Sequence, residues 1–379
     1  MIQPANMRIL IGKTATFVQI LCPMRMNRHL LRLVLVAVTA VAFSCHPRDR
    51  YVVFSGYAQG GAWVVKANMK EVKVKDSEVQ ASLDSILRHI DNSLSGYNKN
   101  SLLSAFNAGS EITPDSIFLD IYSRSVSIYD VTGGCVDPAS APLFDLWGFG
   151  FKSGEMPSDE KVKNTLSDCG MKRLSRDVCK AVTSDGLLAP SALLLPEAGD
   201  ALPQLNYNAI AQGYSCDIVA GYLYSLGVKD MLVDIGEFFC DGLNPSGKPW
   251  TIGIDKPVDG NNDIGASLQG VFRAPAGPHG IVTSGNYRKF YVKDGRKYAH
   301  TIDPRSGRPV EHSLLSATIV APDAVTADAY ATWCMVVGLE DAKVFLEQAD
   351  AFEGCLIYDE DGAMKTWCSS GFVLESDLH

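Results

Sequence analysis

Between residues 231 and 321 the sequence reads as one strand after another: MLVDI (231–235), PWTIGI (249–254), SLQGVFRA (267–274), the alternating YRKFYVKDG and SLLSATIVA (313–321). Helical periodicity is gathered on either side of this run. EVQASLDSILRHIDNSL (78–94) sets Val79, Leu83, Ile86, Leu87, Ile90 and Leu94 on one helical face. A second helix follows Pro114 and ends at Gly133-Gly134, where glycine suits the left-handed C-cap. A third starts at Ser158-Asp159 and stops near Gly170. Residues 211–227 bury Ile218, Val219, Tyr222, Leu223 and Leu226, and 325–338 and EDAKVFLEQA continue as helices before a strand at CLIYD and another around Lys365 to Cys368. Strands in runs, with helices between the runs, indicate an α+β fold of mixed or antiparallel sheets packed with helices rather than a regular βαβ alternation. No internal repeat, low-complexity tract or strong linker interrupts the chain after residue 52, so residues 52–379 are expected to form one large domain. The 379 residues, 46% hydrophobic with mean hydropathy +0.04, can bury such a core.

The leading residues follow other rules. Arg25, Arg28 and Arg32 precede the apolar run Leu33 to Phe43, and Ser44-Cys45 follow. A basic segment, a short apolar run and a small residue before cysteine form a secretory signal pattern. The run falls short of the roughly 20 apolar residues that span a bilayer. VAFSC resembles a bacterial lipoprotein signal in which Cys45 is lipidated; the alternative is an ordinary cleaved signal peptide. Residues 1–24 read as upstream extension, Met24 or Met26 being the more natural start, and 45–51 as a tether. The expected product is exported and membrane-anchored, facing the periplasm.

Residues 1–44 hold five of the 34 basic residues and none of the 43 acidic ones, which leaves the remainder at a net charge of −14. Such a chain is a poor partner for nucleic acid, whose phosphates need clustered Lys and Arg. The ten cysteines form no CxxC pair and no zinc spacing, and Cys216 and Cys334 occupy core-like positions.

Four stretches can carry chemistry. Asp328 and Thr332, four residues apart, share a helix face and offer hard oxygen ligands suited to Mg²⁺ beside small Ala327, Ala329 and Ala331; the plain alternative is a solvated pair. HTIDPRSGRP (300–309) combines a histidine fit for proton transfer with the makings of a hairpin at Asp303 to Pro309. LNYNAIAQGYSCD (205–217) is a polar entry to a helix, where free N–H groups attract anions, but is neither a GxGxxG nor a Walker loop. CVDPASAPLFDLWGFG (135–150) holds aromatics that either stack on a planar ring or plug a core.

Together and in order, GYAQGGAWVVKA, LSGYNKNSLLSAFN, CVDPASAPLFDLWGFG, NAIAQGYSCDIVAGYL, LVDIGE, TSGNYRKFYVKDGRKYAHTIDPRSGRPV and DAVTADAYATWCMVVG resemble the signatures of the ApbE family of FAD:protein FMN transferases, from about residue 52 to 372. The resemblance implies a single T-fold-like domain. It implies that Asp328, Thr332 and the carbonyl of Ala209 bind Mg²⁺. Gln59, Tyr97, Cys135, Val136, Asp137, Gln212 and Ile302 fall where the family contacts FAD, and His300 matches its catalytic histidine. The implied reaction breaks the FAD pyrophosphate: a Thr or Ser hydroxyl of an acceptor redox protein attacks the FMN-side phosphorus, a base at His300 or Asp328 takes the proton, and AMP leaves. Four departures stand out. The family's D-x-G-A-I-A-K-G motif has Asn206, Asn208 and Gln212 at its Asp, small and Lys positions, and D-I-G-G-E lacks its second glycine, so that Glu237 follows Gly236 directly. Two other readings fit the same residues: an FAD pyrophosphatase using water as acceptor, and a non-catalytic FAD-binding lipoprotein. Tyr97 against the flavin would shield the phosphate and disfavour hydrolysis.

Overall fold

A computed structural model describes residues 49–149, 156–258, 261, 265–286, 290–293 and 296–375. The expected signal segment and Cys45 lie outside these residues. From Asp49 onward the chain forms one compact unit.

The fold opens with the antiparallel pair β1 (Tyr51–Ala58) and β2 (Gly61–Asn68). GYAQGGAWVVKA is therefore a hairpin. Its two-residue loop has Gln59 at φ 51° and Gly60 at φ 81°, the two positive angles of a type I′ turn. β1 starts at Tyr51, the last residue assigned to the tether. Five helices follow: α1 (Asp76–Leu94), α2 (Leu102–Asn107), α3 (Ser116–Val131), α4 (Ala141–Leu146) and α5 (Asp159–Ser167). Short 3₁₀ turns then lead to α6 (Ala211–Ser225). The strand run comprises β3 (Met231–Asp234), β4 (Phe238–Asp241), β5 (Thr251–Asp255), β6 (Leu268–Arg273), β7 (His279–Gly285), β8 (Phe290–Lys293), β9 (Arg296–Ala299), β10 (Ile302–Asp303), β11 (Arg308–Pro309) and β12 (Leu314–Ala321). It ends in α7 (Ala324–Val337), α8 (Leu339–Gln348), β13 (Glu353–Glu360), β14 (Ala363–Cys368) and β15 (Leu374–Glu375).

The main sheet has the order β1-β2-β3-β4-β7-β12-β13-β14, and every pairing in it is antiparallel. A three-stranded sheet, β15-β6-β5, lies apart in the pairing, as do the hairpins β8-β9 and β10-β11. The α+β expectation holds.

Strand alternation shows how the layers stack. Along β12, Ala317, Ile319 and Ala321 join the apolar cluster of α7 and α8, while Val320 joins the cluster of β5 and β6. Phe239 and Cys240 of β4 divide between opposite faces in the same way. Helices thus cover one face of the main sheet and the small sheet covers the other, so its central strands are apolar on both sides. The helix α1 buries Val79, Leu83, Leu87, Ile90 and Leu94 as its periodicity predicts, with Ile86 half-buried. More of α6 is buried than one stripe: Tyr214, Cys216 and Ala220 are inside together with Val219 and Leu223, whereas Ile218, Tyr222 and Leu226 are only partly covered. The cause is a second neighbour, since α6 packs on α7 as well as on the sheet. Cys216 and Cys334 are fully buried, as their positions suggested.

Candidate functional site

Two helices set the site by passing unusually close. A Cβ on Gly213 of α6 would lie 2.3 Å from the carbonyl oxygen of Ala324 and 2.9 Å from Cβ of Asp328, and one on Gly280 of β7 would lie 2.3 Å from Cα of Ala324. Only glycine permits either approach. Asp217 then fastens the crossing. Its two carboxylate oxygens accept the N–H groups of Ala324 (2.8 Å) and Val325 (2.9 Å), the unsatisfied donors of the first turn of α7. Burial pushes the Asp217 carboxyl up to about 7, against the lowering effect of those two N–H groups.

The same crossing places Asp328. It is 5% exposed, and its Oδ2 accepts the N–H of Gly213 at 3.0 Å. In a regular helix that N–H would bond the carbonyl of residue i−4, which is Ala209. Its diversion to Asp328 leaves the Ala209 carbonyl without an N–H partner among the described residues. No basic side chain pairs with Asp328 among them either, and burial, with Asp217 nearby, pushes its carboxyl upward. The solvated-pair alternative therefore fails for Asp328. Its carboxylate, the Thr332 hydroxyl and the Ala209 carbonyl line one cleft, giving three hard oxygens with no basic side chain paired to Asp328 among the described residues. That donor set fits Mg²⁺, which takes one or two carboxylates and completes its shell with water and phosphate oxygens. No cluster of three or more His, Cys, Asp or Glu exists among the described residues, so the ligands would depend on carbonyl and hydroxyl oxygen.

The cleft, of about 340 Å³, is also lined by Tyr97, Cys135, Val136, Asp137, Gln212, His300 and Ile302. Gln59 is the exception among the predicted residues. It lines an adjoining cleft of about 450 Å³ with Asp91 and Ser95, and Tyr97, Asn208 and Gln212 belong to both. The Gln59 amide hydrogen-bonds the Ser215 hydroxyl on α6, which ties the β1–β2 turn to the helix. Cys135 and Val136 line the cleft while remaining 3% and 2% exposed. The Asp137 carboxylate turns into its own loop and accepts the N–H groups of Ala139 (2.9 Å) and Met171 (3.0 Å); burial raises it to about 6.

HTIDPRSGRP has both expected parts. Ile302 pairs with Pro309 and Asp303 with Arg308 in the β10–β11 hairpin, and Arg305 closes back on Asp303. The Gly307 carbonyl accepts Nε1–H of buried Trp147 at 2.8 Å. Leu143, Trp147, Val162 and Ile302 form a small separate core. Trp147 of the CVDPASAPLFDLWGFG stretch therefore plugs a core, while Phe144 and Phe149 reach the cleft. Half-buried His300 meets Phe149 edge-on, ring centroids 6.5 Å apart.

The departures are accommodated as well. Gln212 Nε2 donates to the Ile235 carbonyl at 3.1 Å, directly under Gly236, whose φ of 91° and close fit admit no side chain. Glu237 turns into the cleft and its Oε2 accepts the Thr283 N–H at 3.3 Å. Sequence reasoning gave no role to Thr283, Ser284 and Gly285 at the end of β7, or to Gly213 and Asp217. Their placement comes from long-range pairing, and the one local trace is Gly213 inside a helix.

The ApbE family profile matches residues 62–356. The FAD:protein FMN transferase of Escherichia coli (strain K12) is 32% identical over 330 residues, covering 84% of this chain and 88% of that protein. The protein of the same name from Treponema pallidum (strain Nichols) is 28% identical over 346 residues, covering 86% and 90%. Among solved structures, the flavin transferase ApbE from Vibrio cholerae aligns with a TM-score of 0.69 at 28% identity, over 85% of this chain and 98% of that one. The apo flavinyl transferase ApbE of Pseudomonas stutzeri aligns with a TM-score of 0.70 at 29% identity, over 85% and 95%. With its fold and most of its length in common with these proteins, the chain belongs to the ApbE family.

Proposed function

We propose that this chain is an Mg²⁺-dependent FAD:protein FMN transferase, which moves FMN from FAD to a Thr or Ser hydroxyl of an acceptor redox protein as a phosphoester and releases AMP. The observation that carries the reading is the set of three hard oxygens, of Asp328, Thr332 and Ala209, that line the same cleft as His300. The double cleft suits a dinucleotide, whose two halves need separate room around a central pyrophosphate.

Asp328, Thr332 and Ala209 would hold the metal, which when bound neutralises charge on the phosphate oxygens. The other residues have positioning and proton tasks. Tyr97, Asn208 and Gln212, shared by both clefts, orient FAD across the joint. Phe144, Phe149 and Ile302 make the wall near His300 apolar and exclude water, the competing nucleophile. Asp328 cannot serve as base while it is a ligand, so the His300 imidazole takes the proton of the attacking hydroxyl. The oxygen–phosphorus bond forms as the anhydride bond to AMP breaks.

We propose further that the chain is exported and anchored through lipidated Cys45. Among the described residues no helix is long and apolar enough to cross a membrane. Radiolabelled palmitate should enter the wild-type chain and not Cys45→Ala; equal labelling would remove the anchor.

The transferase reading is tested with FAD, Mg²⁺ and an acceptor carrying a Thr-containing flavinylation motif, following AMP and the acceptor's intact mass. AMP release with one FMN-yl group added is expected. AMP without the mass gain would replace the reading with a pyrophosphatase, and neither product with FAD retained would replace it with a binder.

A further inference from the structure

On the far side of the main sheet from α7, β13 and β14 bring two cysteines face to face. Cys355 pairs directly with Cys368 in the antiparallel register. The adjacent pair, Gly354 and Ser369, is joined by Ser369 N–H donating to the Gly354 carbonyl at 2.9 Å. Hydrogen-bonded and non-hydrogen-bonded pairs alternate along an antiparallel ladder, so Cys355 and Cys368 fall at the non-hydrogen-bonded position. There the Cα atoms approach to about 4.5 Å and the side chains are closest, within the roughly 4.4–6.8 Å that a disulfide spans. The sulfurs lie 2.9 Å apart, in direct contact. Cys355 is buried in the core between the two sheets, whereas Cys368 is half-buried and reachable from solvent.

We propose that Cys355 and Cys368 are a thiol pair built to close into a cross-strand disulfide, oxidised by a small-molecule or protein disulfide. The exchange is balanced. Cys368 loses its proton to solvent, and its sulfur attacks one sulfur of the oxidant and releases one thiol. Cys355 loses its proton, and its sulfur displaces the second thiol from Cys368. One S–S bond breaks in the oxidant and one forms in the protein, and two electrons pass from protein to oxidant. Among the described residues β14 pairs in the sheet with β13 alone, so the bond would fix the register of an edge strand. The inference is independent of the transferase reading.

The test uses the purified full chain, reduced, freed of reductant and exposed to oxidised glutathione. Free thiols are then alkylated and the digest is mapped by mass spectrometry without reduction. Exposed Cys179 reports that the oxidant has acted, because it should carry glutathione. The expected product is a peptide pair linked through Cys355 and Cys368, two hydrogens lighter than the separate peptides and released by dithiothreitol. In Cys355→Ala, Cys368 should instead keep its glutathione. The proposal is overturned if both cysteines are alkylated while Cys179 is modified, if wild-type Cys368 stops at the mixed disulfide, or if either links to a different cysteine.

Discussion

At Asp328 one hydrogen bond among the described residues, from Gly213, supports a carboxylate that is buried at 5% exposure. A buried charge needs a partner, and the arrangement is stable only as a neutral acid or with a cation beside it. Asp328→Asn keeps an oxygen for the Gly213 N–H and nearly the same volume, so folding should be retained. If Asp328 is a metal ligand, AMP release should fall by at least about 100-fold, in line with the cost of disturbing a metal shell. AMP measured by chromatography at saturating FAD and Mg²⁺ checks this, and activity within a few-fold of wild type would exclude the ligand role. That Asp328 and Thr332 line one cleft was legible from their spacing on one helix face. The freed Ala209 carbonyl was not, because it arises when an N–H from one helix is captured by the carboxylate of another 115 positions along the chain. Gln59 was legible as a cleft residue only through family resemblance; its positive φ and its bond to Ser215 follow from a turn that no local rule assigns to glutamine.

Elements with strong periodicity were readable to within a residue or two, and those without it were not. α1, α6, α7 and β12 stand where apolar spacing puts them. The 3₁₀ turns between residues 171 and 198 and the two-residue strands β10 and β11 carry too few residues for a period to show. Two junctions between elements can be tested. Gly213→Ala places a methyl 2.3 Å from the Ala324 carbonyl, which backbone cannot yield cheaply. The variant should lose about 1–3 kcal/mol by chemical denaturation, the usual cost of overpacking, whereas Gly221→Ala on the same helix, with open space around it, should lose nothing. Equal effects at the two sites would show that helix propensity, not the α6–α7 approach, governs the change. Trp147→Phe keeps most of the apolar plug but leaves the Gly307 carbonyl without its donor. A cost of about 1–3 kcal/mol is expected, with weaker FAD binding by fluorescence titration because Ile302 belongs to that hairpin. Unchanged stability and affinity would remove the anchoring role.

Across the whole molecule, strand order was the least legible feature. The α+β class follows from where strands and helices cluster, but β7 sits between β4 and β12 because residues far apart in sequence complete one sheet, and no local pattern encodes that pairing. The same long-range packing gives the protein an unusual response to pH. Asp217 is folded into the α6–α7 contact with its carboxyl raised to about 7, from 3.8. A group raised on folding binds more protons in the folded state between those two values. Its stabilising contribution is therefore complete below about pH 4 and is lost as pH rises through 7. Roughly three pH units correspond to about 4 kcal/mol for a group this buried. Surface ion pairs such as Arg273–Glu375 act in the opposite sense, because they hold Glu375 low, but they are exposed and individually weak. Asp217→Asn removes the titration and leaves one oxygen for the first turn of α7. The difference in Tm between variant and wild type, followed by scanning calorimetry of the metal-free protein from pH 5 to 8, should move in favour of the variant by several degrees as pH rises. Parallel curves would mean that the two N–H groups of α7 keep the Asp217 carboxylate ionised throughout, and that the crossing is held by a charged cap rather than by a protonated one.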